Sequence, residues 1–144
     1  MLESFLFTAA FNTLVTGLAA KQDIETKGKA VNIVPFLAAI GLNVSYLYTS
    51  KILTGEWAVF VLMGLIGAML IHKLNLWHGA DSLALVSGFV AFSPNIFLLL
   101  YFLFGTCLFG GHLVNRKYGK KKWIPYLPAF LIGSLCASFG VLIL

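Results

Sequence analysis

Apolar residues run along this chain in six stretches parted by short polar gaps. The first covers roughly Phe5 to Ala20, the second about Val31 to Tyr48, and the third runs from near Trp57 to Ile71. The fourth is short, about Ala80 to Phe92, and Ser93-Pro94-Asn95 ends it. The fifth goes from Ile96 to about Val114, and the sixth from roughly Pro125 to Leu144, approached through Trp123 and two prolines. Apolar runs of this length predict helices rather than strands, which rarely exceed eight residues. Pro125 and Pro128 suit a first helical turn, where a missing N–H donor costs nothing.

Composition decides what kind of helices these are. Hydrophobic residues make up 60% of the 144 and charged residues only 10%, where a soluble domain carries about a quarter charged. Fifteen charges are too few to coat a globule of this size, so the chain is expected to be an all-α polytopic membrane protein. The fourth run falls short of the ~20 residues a span normally needs, and charge placement resolves its status. Lys21, Lys27 and Lys29 follow the first helix, Lys73 the third, and Arg116, Lys117, Lys120, Lys121 and Lys122 the fifth; the other gaps hold only Lys51. With six transmembrane helices, nine of ten basic residues fall on one side. Merging the fourth and fifth would throw the five-charge cluster outside. The positive-inside tendency therefore predicts six spans, a single domain over 1–144, both termini outside, and a multi-pass location in the cytoplasmic membrane.

Other classes fall away on position. The net charge of +5 does not gather on one soluble face, so no nucleic-acid partner is expected. Cys107 and Cys136 both lie inside apolar runs and cannot build a metal knuckle or a disulfide framework. Met1-Leu-Glu-Ser has no basic leader region, so the first run is expected to be a retained helix. The basic segment Arg116 to Lys122 reads as a topogenic contact with lipid headgroups. Small residues, among them Gly64, Gly67, Gly88, Gly105, Gly110 and Gly133, recur at spacings that let membrane helices approach closely.

Chemistry must come from very few groups. The only aspartates are Asp23, just after the first helix, and Asp81, at the start of the fourth. Both fall at cytoplasmic helix ends, at matching depth. Two carboxylates held close in low dielectric share a proton instead of both ionising. One can then activate water while the other, protonated, polarises a peptide carbonyl. Plainer roles exist for each. Asp23 could pair with Lys21, Lys27 or Lys29, and Asp81 could cap the fourth helix. A metal site from His72, His78 and Asp81 has the wrong helical spacing and lacks a further ligand. His78 instead reads as a polar neighbour of Asp81.

Three local sequences narrow the choice. Lys21-Gln22-Asp23-Ile24-Glu25-Thr26-Lys27 resembles the Asp-Ile-x-Thr-Arg segment of type IV prepilin peptidases, a family that includes the archaeal preflagellin peptidases. His78-Gly79-Ala80-Asp81 is similar to the family's Gly-x-Gly-Asp motif, which also has the form Gly-Gly-Ala-Asp. The stretch from Ile124-Pro125-Tyr126-Leu127-Pro128 to Gly133 resembles the family's Ile-Pro-Phe-x-Pro approach to its last helix. All three stand in the family's order. The chain departs from the pattern at His78, Ala80 and Leu83, and in Gly28-Lys29-Ala30-Val31-Asn32, where the family reads Ile-Pro-Asn.

The resemblance implies a membrane aspartic peptidase that removes the positively charged leader of pilin-like or flagellin precursors at the cytoplasmic face. Asp23 and Asp81 would be the catalytic carboxylates, with Gly79 and Ala80 giving close backbone approach and His78 supporting the loop. No cofactor or metal is implied, and membrane lipid and the precursor are the expected partners. The four-cysteine methyltransferase domain of bifunctional members has no counterpart here. The alternative is a non-catalytic polytopic protein, such as a small transporter subunit, an assembly factor or a degenerate relative of the peptidases. No carboxylate or basic residue falls in mid-span, where a transporter would place one.

Overall fold

The computed structural model describes residues 2–29, 31–74, 79–120 and 124–143, and every regular element among them is helical. His78, Lys121, Lys122 and Trp123 lie outside the described residues. The helices are α1 (Leu2–Thr26), α2 (Val34–Thr49), α3 (Gly55–Lys73), α4 (Gly79–Phe92), α5 (Ile96–Phe104), α6 (Gly111–Tyr118) and α7 (Leu127–Ile143). A π-helical segment, Gly105–Gly110, joins α5 to α6, so that Ile96–Tyr118 is one rod. Three helices are long and apolar enough to cross a membrane: α1, α3 and this rod. α2, α4 and α7 are apolar but shorter.

Helix ends follow local chemistry. α1 continues past the apolar run because nothing stops it before Lys27 and Gly28, both left-handed at φ 53° and 75°. There the Gly28 N–H reaches back to the Asp23 carbonyl at 3.1 Å, a Schellman-type closure. Asp23 is consequently part of the last turns of α1, not of the loop after it. α2 starts at Val34, later than the apolar pattern suggests, because Asn32 Oδ1 accepts from the Val34 N–H at 3.0 Å and Pro35 occupies the first turn. Thr54 caps α3 through the Trp57 N–H, and Asn95 caps α5 through the Phe97 N–H at 2.9 Å. Pro125 precedes α7, and only Pro128 sits in its first turn.

α4 is the centre of the bundle. It packs against α1, α2, α3, α5 and α7, and nine of its 14 residues are buried. Two kinds of contact hold the helices at fixed depth. One is polar: Asn12 on α1 donates to Ser134 Oγ on α7 at 3.0 Å and accepts from Ser87 Oγ on α4 at 2.5 Å. Thr8 adds a bond to the Ala91 carbonyl at 3.3 Å. The other is steric: a Cβ on Gly133 of α7 would collide with Thr106 Oγ1 and lie 2.6 Å from the Phe102 carbonyl. One on Gly110 would lie 2.5 Å from the Ala129 carbonyl. The rod and α7 thus meet backbone to backbone. α3 is the outlier. It packs on α4 alone among the described elements, through the Phe89 ring against Gly64 and a Trp57 Nε1 bond to the Val90 carbonyl at 3.2 Å.

Glycine substitutions should separate these two environments. Gly133→Ala is expected to cost about 1–3 kcal/mol, because carbonyl and hydroxyl atoms must be displaced. Gly67→Ala, where a Cβ meets nothing within 4 Å, should be neutral or stabilising by about 0.5–1 kcal/mol. Reversible unfolding in detergent micelles reads both; a Gly133→Ala protein as stable as the parent would contradict the close packing.

Candidate active site

A buried carboxylate is costly unless something compensates it, so its position carries information. This chain has five acidic residues. Glu3, Glu25 and Glu56 are exposed, whereas Asp23 and Asp81 are only 5% and 4% exposed. Lys21 pairs with Glu25 at 3.8 Å on the exposed side of α1.

The α1–α4 register sets the depth of the two aspartates. The hydrogen-bonded pairs Thr8–Ala91 and Asn12–Ser87 each advance one turn in opposite directions, so the helices are antiparallel. Continuing that ladder brings Asp81 opposite residue 18, five residues short of Asp23. At 1.5 Å per residue the offset is about 7.5 Å. Side chains in a helix lean toward its N-terminus, and the N-termini of α1 and α4 are at opposite ends. The two carboxyl groups therefore lean toward each other across this interval. Ala19, Ala20 and Ala84, all buried, line the same stretch and leave the backbones free to approach.

Each carboxylate also faces a helix N-terminus, where unpaired N–H groups favour negative charge. Asp81 is in the first turn of its own helix. Asp23 Oδ2 accepts from the Leu127 N–H of α7 at 3.4 Å. The Ile124-Pro125-Tyr126-Leu127-Pro128 stretch thus delivers the start of α7 to the end of α1. That contact is not visible in the sequence, where the segment reads only as the start of a helix.

The supporting residues divide. Ala80 packs on the core, while Gly79 is exposed and a Cβ there would meet nothing within 4 Å. Among the described residues, no neighbour requires glycine at 79. His72 is exposed on the last turn of α3. Among the described residues, no three His, Cys, Asp or Glu side chains converge as metal ligands. Chemically, the arrangement offers two buried carboxylates at one end of an apolar bundle.

Comparison with known proteins gives no match: no family model, no curated protein and no solved structure corresponds to the chain.

The α7 contact makes a stability prediction separate from catalysis. Asp23→Ala removes an acceptor from a helix N-terminus and should cost about 0.5–2 kcal/mol, whereas Asp23→Asn keeps an acceptor and should stay within about 0.5 kcal/mol of the parent. Equal losses in both, measured by unfolding in micelles, would show that the carboxylate charge rather than the acceptor matters.

Proposed function

We propose that the chain is a six-span membrane aspartic endopeptidase that removes the leader of pilin-like or flagellin precursors at the cytoplasmic face. One observation carries the reading: of five acidic side chains, the two aspartates alone are buried, and both lie at the same end of the bundle. Every described basic residue is exposed, and on a six-span topology all but Lys51 belong to that end. α4, about 21 Å long at 1.5 Å per residue, is shorter than a bilayer core, and its five helical neighbours shield it from lipid.

In this mechanism the precursor's apolar helix lies in the bilayer and its leader emerges as extended chain at the carboxylates. An extended segment is needed because a helix ties up its own carbonyls. The ionised member of the pair takes a proton from water as the oxygen attacks the scissile carbonyl carbon. The protonated member donates to the carbonyl oxygen, giving a neutral tetrahedral diol. One carboxyl then passes its proton to the amide nitrogen while the other carboxylate takes a proton from a diol hydroxyl, so that the C–N bond breaks, the carbonyl re-forms and the pair again holds one proton. No covalent enzyme intermediate forms.

Leader cleavage of a co-expressed prepilin tests the reading. Asp23→Asn and Asp81→Asn should each lose a factor of about 10²–10⁴ in rate while still inserting in the membrane. The wild-type rate should be bell-shaped in pH, falling in acid as both carboxyls are protonated and in base as the shared proton leaves. Variants that cut like the parent would end the aspartic mechanism. Topology has its own test in a background with Cys107 and Cys136 replaced. Lys51→Cys should react with an impermeant thiol reagent in intact cells, and Lys117→Cys only after permeabilisation.

The non-catalytic alternative gains some support from Asn43 on α2, fully buried with neither side-chain oxygen nor nitrogen hydrogen-bonded among the described residues. Unsatisfied polar groups at this depth suit a protein that passes a polar solute. Cleavage lost in both aspartate variants decides against it.

A further inference from the structure

The end of the bundle opposite Asp23 and Asp81 holds a pocket that the cleavage mechanism does not use. Its volume is about 380 Å³, within the range that takes a small organic ligand. Its polar wall is Ser4 of α1 with Ser50, Lys51 and Thr54 of the connection between α2 and α3. Ser4 stands 19 residues before Asp23 on α1, about 28 Å away along the helix.

Every polar side chain on that wall has a proton to donate. Ser4 is only 8% exposed and makes no side-chain hydrogen bond among the described residues, yet its oxygen, unlike those of Ser82 and Thr106, is not sealed from solvent. Ser50 Oγ is likewise without a bond among the described residues. Thr54 Oγ1 accepts from the Trp57 N–H at 3.2 Å, which leaves its own proton free. Lys51 forms no ion pair among the described residues, and no acid lines the pocket; Glu56 belongs to a separate recess beyond Thr54. The carbonyls at the end of α2, which would repel an anion, are occupied: those of Tyr46, Tyr48 and Leu47 accept from the N–H groups of Ser50, Lys51 and Ile52 at 3.0–3.1 Å.

A cation and three hydroxyls with nothing to accept their protons select an anion, and one with several oxygens. A tetrahedral oxyanion can meet each donor with a different oxygen, whereas a carboxylate has only two. Phe5, Ile52 and Pro94 complete the wall and give it an apolar side, which suits carbon attached to that oxyanion. We propose that this pocket binds the phosphate group of a phosphate ester, with Lys51 as its counter-charge and Ser4, Ser50 and Thr54 as hydrogen-bond donors. The site goes beyond the peptidase reading and does not depend on it. Two sources share this chemistry, a phospholipid headgroup and a soluble phosphate ester.

The purified full chain in neutral detergent micelles is titrated with short-chain phosphatidylglycerol and, separately, with glycerol 3-phosphate. At least one probe should bind saturably, one per chain. Lys51 is left-handed at φ 55°, a conformation glycine adopts freely, so Lys51→Gly removes the charge without straining the turn. That variant should bind about tenfold more weakly and Ser4→Ala about threefold, while Lys51→Arg should stay within about threefold of the parent. Lys73→Ser, which removes an equal charge from the exposed far end of α3, should bind as the parent does. Saturation by the lipid alone identifies a headgroup site, and saturation by glycerol 3-phosphate a site for a soluble ester. Saturation by neither overturns the proposal, as does parental binding by Lys51→Gly or an equal loss in Lys73→Ser. Asp81→Asn should leave binding unchanged, so this site and the cleavage reading stand or fall separately.

Discussion

Asn12 joins three helices with one side-chain amide, donating to α7 and accepting from α4. Water drives soluble helices together, but in a bilayer the surroundings are as apolar as the helices themselves. Register then depends on the few contacts that tolerate no sliding, and a buried amide with two buried hydroxyl partners is one of these. A slip of one turn, about 5.4 Å, would leave both serines and the amide unsatisfied. The same slip would move Asp23 against Asp81 by about 5.4 Å, most of their axial offset of about 7.5 Å. The depth of both carboxylates therefore depends on a residue two to three helical turns away from either. Asn12 reacts with nothing, yet the geometry of the site depends on it.

The rod and α7 supply the second constraint by a different route. Gly105, Gly110 and Gly133 bring backbone within reach of backbone, and Cys136 fills the space against Gly105. The π segment sits where this packing is tightest, and Thr106 there has a buried hydroxyl without a partner. An extra residue in a helical turn rotates everything that follows it. That rotation helps bury Val114 and Tyr118 against Ala129, and so steadies the start of α7 beside Asp23.

Much of this was legible in the chain itself. Six helical stretches could be placed because Gly, Pro and charge punctuate the apolar runs, and Ser93-Pro94-Asn95 ends α4 at the residue expected. The aspartates could be singled out because the chain has no others. Legibility failed where partners decide the outcome. Nothing in Gly105-Thr-Cys-Leu-Phe-Gly110 announces a π turn, since its cause is the neighbouring α7. Asp23 belongs to α1 because the stop signal is the left-handed pair Lys27-Gly28, and an apolar pattern that fades at Ala20 does not show it. The groove walled by Leu65, Ala68 and His72 of α3 and by Gly79, Leu83 and Val86 of α4 needs the register of the two helices, and neither encodes that alone.

The single seam holding α3 has a mechanical consequence. With Gly64 as pivot, His72 stands about 12 Å along the arm, so a tilt of about 10° carries it about 2 Å toward or away from Gly79. Membranes of different thickness impose different tilts on a helix of fixed length, each ångström of mismatch costing a fraction of a kcal/mol. If the chain spans a membrane as proposed, the lipid becomes a mechanical component of the bundle: a thinner or thicker bilayer would widen or narrow the gap between His72 and Gly79 with no change in sequence.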